Sequence, residues 1–240
     1  MKEQLLSVVI PVFNEEKTIH LILEKLDGVQ LNYGYTMELI IVDDCSTDGT
    51  KERLAEIIPR LSGNMKVSVF QQDRNMGKGA ALRRGFGKAQ GELTVVQDAD
   101  LEYDPEEYNI LLKPFYDGVA DVVYGSRFMG GNAHRILFFW HSIGNRFLTF
   151  LSNMLTNLNL TDMETCYKMF RTSIIQSVSL VENRFGFEPE VTAKLSRIKG
   201  VRIYEVGISY YGPTFEEGKK IGWRDGVRAI FCIIKYRVIK

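Results

Sequence analysis

"LSVVIPVFNEEKTIHLILEKLDG", residues 6–28, decides the fold. It opens with a short β-branched run closed by Pro11, the pattern of a strand buried on both faces. The remainder reads as a helix. Asn14 stands where an N-cap belongs, Glu15 and Glu16 suit the positive end of a helix, and Ile19, Leu21, Ile22, Leu23 and Leu26 supply a core face. The same strand-then-helix alternation recurs. "MELIIVDD" (37–44) precedes "STDGTKERLAEIIPRL" (46–61), and "VSVFQQ" (67–72) precedes "NMGKGAALRRGFGKA" (75–89). "LTVVQDAD" (93–100) precedes "DPEEYNILLKPFY" (104–116), and "ADVVYGSRF" (120–128) reads as a fifth strand. This spacing predicts an α/β fold with a doubly wound, mostly parallel sheet and right-handed crossovers. Past about residue 130 the pattern loosens into aromatic helical segments, a strand-like "VRIYEVGISYY" (201–211) and a basic C-terminal helix. A single domain over 1–240 is expected, with one half at about 1–130 and a second at about 131–240.

Ligands of such sheets bind beyond the carboxyl ends of the strands. "PVFNEE", "DDCSTDGT", "RNMGKG", "DADLE" and "GSRF" each follow a predicted strand, so they should converge on one crevice. In "DADLE", Asp98, Asp100 and Glu102 alternate and would share one face of an extended chain. Like charges so close need a neutralising partner. Two acids one residue apart at a strand end suit a hard divalent cation, Mg²⁺ or Mn²⁺, which takes one or two carboxylates together with substrate phosphates. A solvated turn capping the following helix is the plainer alternative. Asp43 and Asp44 also end a strand, where a carboxylate can accept from a ribose hydroxyl or a base N–H. The run Ser46–Thr50 reads as a turn and cap. "NMGKG" is not a P-loop, and its glycines serve either a ligand or close helix–sheet packing.

Composition narrows the function classes. Thirty Lys and Arg balance thirty Asp and Glu, which gives no support to general nucleic-acid binding. Three cysteines far apart, Cys45, Cys166 and Cys232, argue against a disulfide framework and a zinc site. No secretory signal is expected at the start. The longest apolar candidate, "ILFFWHSIGNRFLTFLSNML", is broken by His141, Asn145 and Arg146 and does not read as a membrane span.

Taken in order, "VVIPVFNEE", "IIVDDCSTDGT", "RNMGKGAALRRGF", "DADLEYDPE", "YGSRF", "TDMETCYKMFR", "FGFEPEV" and "YYGPTFEEGKKIGW" resemble the family-2 glycosyltransferases. The nearest subgroup is the polyprenyl-phosphate glycosyltransferases, similar to dolichyl-phosphate mannose synthase. The resemblance implies a GT-A fold, with a Rossmann-like nucleotide-sugar half and acceptor-binding helical elements in the second half. It places Pro11, Phe13, Glu15, Asp43, Asp44, Lys78 and Asp98 at a nucleotide-sugar. It makes Asp98 and Asp100 the D-x-D, with Glu102 as a third metal ligand where the family often has Gln. The implied reaction is one-step inverting transfer of a hexose to a polyprenyl phosphate, with Asp100, Arg127 and Asp162 as the catalytic set. Arg127, Arg135, Lys219 and Lys220 would place the anionic acceptor. Lys168 or Arg171 is expected near Asp162, and Glu188 and Glu190 are weaker candidates. Pro213 departs from the subgroup, which usually has Arg there.

Two segments suggest a membrane surface as a partner. "RILFFWHSIGNRFLTFLSNMLTNLNL" (135–160) carries a series of aromatics. "WRDGVRAIFCIIKYRVIK" (223–240) sets Arg224, Arg228, Lys235, Arg237 and Lys240 among apolar residues. Basic amphipathic helices of this kind lie at lipid interfaces. The expectation is a peripheral protein on the cytoplasmic face of the cell membrane, with a small membrane-anchoring partner as one way of holding it there. The donor stays open among GDP-mannose, UDP-glucose and UDP-N-acetylglucosamine. Two other readings remain: transfer to a glycan or protein hydroxyl, with Asp162 as base, and a non-catalytic nucleotide-sugar-binding subunit.

Overall fold

A computed structural model describes residues 4–130, 139–212 and 223–238. The first half alternates as expected. Strand β1 (Gln4–Val12) leads to α1 (Ile19–Gly28), β2 (Tyr35–Asp43) to α2 (Thr50–Ile57), and β3 (Lys66–Gln71) to α3 (Lys78–Phe86). Strand β4 (Leu93–Val96) leads to α4 (Tyr108–Tyr116) and then β5 (Val122–Ser126). The second half adds α5 (Phe139–Thr156), β6 (Lys168–Arg171), α6 (Thr172–Ser177), α7 (Phe187–Leu195), β7 (Ile203–Gly207) and α8 (Trp223–Val238). The strands form one sheet in the order β3-β2-β1-β4-β6-β5-β7. Strands β1 to β4 pair in parallel, as do β5 and β7, whereas β6 runs antiparallel to both β4 and β5.

Strand β6 is absent from the sequence expectation. "YKMFR" is short and carries a lysine and an arginine, so it shows no strand periodicity. It exists because β4 and β5 present complementary edges: Thr94 faces Phe170, and Val123 faces Met169. Strand β1 is central, and its Leu6, Val8, Val9 and Ile10 are fully buried. A parallel strand covered by helices on both faces needs such an unbroken apolar run. Helix α3 lies tight on it: a Cβ at Gly85 would come within 2.3 Å of Val9.

The entry to α1 differs from expectation. The helix starts at Ile19, and Thr18 at its N-cap makes no side-chain capping bond. Asn14 is not a cap. It sits at φ +56°, its N–H donates to Ser46 Oγ (3.0 Å), and its Oδ1 accepts from the Thr47 N–H (2.8 Å). Bonding to the turn after β2 replaces helix capping, because that turn lies alongside in the folded sheet. Glu15 and Glu16 therefore precede α1 rather than line its first turn.

Candidate active site at the carboxyl edge of the sheet

The strand ends that the sequence singles out do meet. Asp43 closes β2, is buried, and spends Oδ1 on the Ser46 N–H (2.9 Å) and hydroxyl (2.5 Å). Its Oδ2 is buried with no hydrogen-bond partner among the described residues, an open acceptor of the kind a ligand N–H or O–H would fill. Asp44 is engaged differently from expectation. Oδ1 accepts from Gln72 Nε2 (2.6 Å) and the Met76 N–H (2.8 Å), and Oδ2 from the Gly77 N–H (2.6 Å). It therefore holds up the glycine-rich loop, because that loop crosses the end of β2. Pro11 and Glu15 are half-buried beside these residues, and Phe13 is exposed.

Beyond β4 stand Asp98, Asp100 and Glu102. Gln97 just before them was not singled out from sequence. It is fully buried; its Oε1 accepts from Tyr108 (2.6 Å) and Tyr167 (2.8 Å), and its Nε2 donates to the Asp98 carbonyl (3.0 Å). These bonds fix the strand tip from which the acids project. Lys78, at the start of α3, puts Nζ 2.9 Å from Asp98 Oδ1 and 3.3 Å from Glu188 Oε1. Burial works against the lysine charge, yet Asp98 and Glu188 outweigh it and hold its pKa well above the usual value. Burial and then Asp98 push the neighbouring Cys166 thiol up, so it stays protonated. Glu102 accepts the Tyr210 hydroxyl (2.6 Å).

Among the described residues, no three His, Cys, Asp or Glu side chains gather into a set that could hold a metal ion. The expected Asp98–Asp100–Glu102 triad is thus not assembled as a preformed cage. The donor chemistry still fits Mg²⁺ or Mn²⁺. Both need only one or two protein carboxylates when phosphate oxygens complete the shell, and Asp98 and Asp100 are hard oxygen donors on one strand tip.

Arg127 and Asp162, from opposite halves of the sequence, come together. Nε donates to Asp162 Oδ2 (2.7 Å), a second guanidinium nitrogen to Oδ1 (2.9 Å), and the Arg127 backbone N–H to Oδ2 (3.1 Å). Asn145 of α5 adds a bond to Oδ1 (3.2 Å). Burial pushes the Asp162 carboxyl up, but Arg127 outweighs it and holds it below the usual carboxylate range. The guanidinium also lies 5.1 Å from the centre of the Tyr210 ring. Asp162 thus orients Arg127, and Tyr210 links that pair to Glu102. Lys168 is wholly buried, donates to the Thr165 carbonyl, and sits over the Tyr124 ring; burial pushes its pKa down. Burial, and next the Glu188 charge, push the Glu164 carboxyl up to about 8. Arg171 lies apart from this centre, on Asp121 and Glu92. Glu190 accepts the Val181 and Glu182 N–H groups and so holds a loop. Arg135, Lys219, Lys220 and Pro213 lie outside the described residues.

Helices α5 and α8 pack together beside the sheet. They expose Phe139, Trp140, Ile143, Phe147, Phe150 and Met154 on α5, and Val227, Phe231, Ile234 and Val238 on α8. Two of the cations expected at the lipid surface are tied to the buried Glu182: Arg228 (2.7 Å), whose side chain stays half exposed, and Lys235 (3.2 Å). An uncompensated buried carboxylate draws in the nearest cations. Among the described residues, no helix is long and apolar enough to cross a membrane.

A mixed seven-stranded sheet with helices on both faces and an acid-x-acid tip on its central parallel part is a GT-A glycosyltransferase architecture. The chain belongs to glycosyl transferase family 2, which matches residues 7–179. Its relatives include a dodecaprenyl-phosphate galacturonate synthase of Rhizobium johnstonii, 28% identical over 86% of this chain and 59% of the relative. A dolichol-phosphate mannosyltransferase of Pyrococcus furiosus is 28% identical over 96% of this chain and 64% of the relative. The chain therefore spans less than two thirds of the length of either. Among solved structures it is similar to glucosyl-3-phosphoglycerate synthase of Mycobacterium tuberculosis, solved with Mn²⁺ and UDP. The TM-score is 0.72 and the identity 18%, over 98% of this chain and 80% of that one.

Proposed function

We propose that the chain is a metal-dependent, inverting glycosyltransferase that moves a hexose from a nucleotide-diphosphate sugar to a polyprenyl phosphate at the cytoplasmic face of a membrane. The observation that carries this reading is the meeting of strand ends. Asp43, with an open buried oxygen, Lys78 and the Asp98–Asp100 tip share the carboxyl edge of one sheet. The lipid-phosphate acceptors in the relatives' names support the acceptor class.

In this reading Asp43 accepts from the nucleoside, and Pro11, Phe13 and Glu15 flank it. Asp98 and Asp100 hold Mg²⁺ or Mn²⁺, with Glu102 close by. The ion supplies charge stabilisation to the departing diphosphate. Arg127 presents a fixed positive charge to the acceptor phosphate, because Asp162 and Asn145 set its orientation. A phosphate monoester is already anionic at neutral pH and needs placement rather than deprotonation. Transfer to a hydroxyl would need a base, and Asp162, tied bidentately to Arg127 with a lowered pKa, is poorly suited to that role. The apolar face of α5 and α8 rests on the lipid surface and brings the acceptor headgroup to the crevice.

The test is incubation of pure protein with labelled GDP-mannose, UDP-glucose or UDP-N-acetylglucosamine, a short polyprenyl phosphate and Mn²⁺, counting label in the organic phase. One donor should give lipid-linked sugar, and Asp100→Ala should abolish it. Folded protein that yields no such product with any donor would end the proposal.

A further inference from the structure

Lys78 has two carboxylates within reach, and only one of them belongs to the acid-x-acid tip. Its Nζ lies 2.9 and 3.1 Å from the two oxygens of Asp98, and 3.3 Å from Glu188 Oε1. Glu188 is in the first turn of α7, with a side chain only 6% exposed, and its Oε2 is buried with no hydrogen-bond partner among the described residues. A buried carboxylate with one oxygen unused carries a desolvation cost that a further cation contact would relieve. As an acid in the first turn Glu188 suits the positive end of α7, but that role does not require it to be buried against Lys78.

The backbone on which Lys78 sits is fixed on both sides. Gly77 has φ +97°, and a Cβ there would come within 2.5 Å of the Asn183 carbonyl. At Gly79 a Cβ would come within 2.4 Å of the Glu182 carbonyl. The Ala80 N–H also donates to the Asn183 carbonyl (3.1 Å). The loop that clamps Lys78 therefore runs directly into the helix that carries Glu188. With both backbones held, the mobile part is the lysine side chain.

We infer that Lys78 is an internal counter-ion standing in for the divalent cation at Asp98, and that Glu188 is the second berth to which Lys78 swings when Asp98 takes the metal. This rests on the metal reading given above. Glu188 is accordingly a positioning residue. It acts through Lys78, keeping the ammonium in the crevice but off the metal-binding carboxylate. The ammonium stays in the crevice as the doubly charged ion arrives, so the two carboxylates divide the cations between them: Asp98 faces the metal, and the open oxygen of Glu188 gains its missing partner.

The experiment is Mn²⁺ binding without donor, followed by the electron paramagnetic resonance of free Mn²⁺, on the parent, Lys78→Met, Glu188→Gln and the double variant. Glu188→Gln keeps the side-chain shape and Lys78→Met shortens the chain by one atom while removing the charge, and thermal melts establish that each variant is folded. Lys78→Met should bind Mn²⁺ about fivefold more tightly and Glu188→Gln about threefold more weakly than the parent. In the Lys78→Met background, Glu188→Gln should change affinity less than about twofold, because there is no lysine left to receive. Equal weakening in both backgrounds would mean that Glu188 acts only as a nearby negative charge; that overturns the inference and leaves the functional reading intact. Absence of Mn²⁺ binding in every variant, with donor present as well as absent, overturns both.

Discussion

Asp162 illustrates how much one carboxylate can organise. It receives two guanidinium bonds and one backbone bond from Arg127 and a further bond from Asn145. Replacing it with Asn keeps the shape but strands a buried guanidinium, so Asp162→Asn should lower stability by about 3–5 kcal/mol in urea melts. Transfer should fall roughly a hundredfold or more, as expected when a positioning contact at the reacting centre is lost. In the double variant with Arg127→Met, stability should recover in part while activity stays low. If the double variant were also active, Arg127 would not be the residue that places the acceptor. The Arg127–Asp162 pair joins positions 35 apart in the chain. Sequence flagged both residues but could not show that each is the other's main partner.

At the scale of elements, α3 and α8 carry the consequences. The glycines of "NMGKG" allowed two uses, ligand approach or close helix–sheet packing. Gly77 and Gly79 instead pack against a loop, at the Asn183 and Glu182 carbonyls. Gly79→Ala should push the start of α3 outward, displace Lys78 and weaken donor binding about tenfold by calorimetry, with the rest of the fold retained. Helix α8 divides its faces: Arg228, Lys235 and Tyr236 grip Glu182, while Val227, Phe231, Ile234 and Val238 face outward. Together with α5, that outward face is the surface offered to lipid. Phe150→Ser with Phe231→Ser should reduce sedimentation with anionic vesicles about tenfold or more and leave thermal stability nearly unchanged, since both side chains are at least half exposed. Unchanged vesicle binding would remove the membrane role from these helices.

For the molecule as a whole, two glutamates set opposite pH trends, Glu182 buried and Glu164 half-buried. Glu164 is pushed up to about 8 from an ordinary 4.5, so the folded state keeps a proton that the unfolded chain has released. Stability should fall from this source as pH rises between about 4.5 and 8. Glu164→Gln should remove that slope and add roughly 1–3 kcal/mol near pH 8. Burial raises Glu182, but Tyr236, Arg228 and Lys235 more than reverse this and bring it down to about 2. Its contribution is fully present above 4.5 and is lost as pH falls toward 2. Melting temperatures of Glu182→Gln should therefore converge with the parent's in acid and fall below them at neutral pH. Parallel curves for parent and variant across that range would show that Glu182 does not anchor α8.

What the sequence alone determined is local and periodic. The β-branched runs ending in Pro11, Asp43 and Asp98 mark strands and their carboxyl ends, because period and turn chemistry are written in neighbouring residues. That is enough to place the acids on one edge of the sheet. Only the tertiary structure decided the partners. Strand β6 forms because two edges await it, Asn14 bonds across to the next turn rather than capping a helix, and Asp44 supports the glycine loop. Lys78 likewise meets Asp98 from 20 residues away. Such pairings depend on which distant groups the packed sheet brings within hydrogen-bond reach, and buried charge makes each of them obligatory once it does.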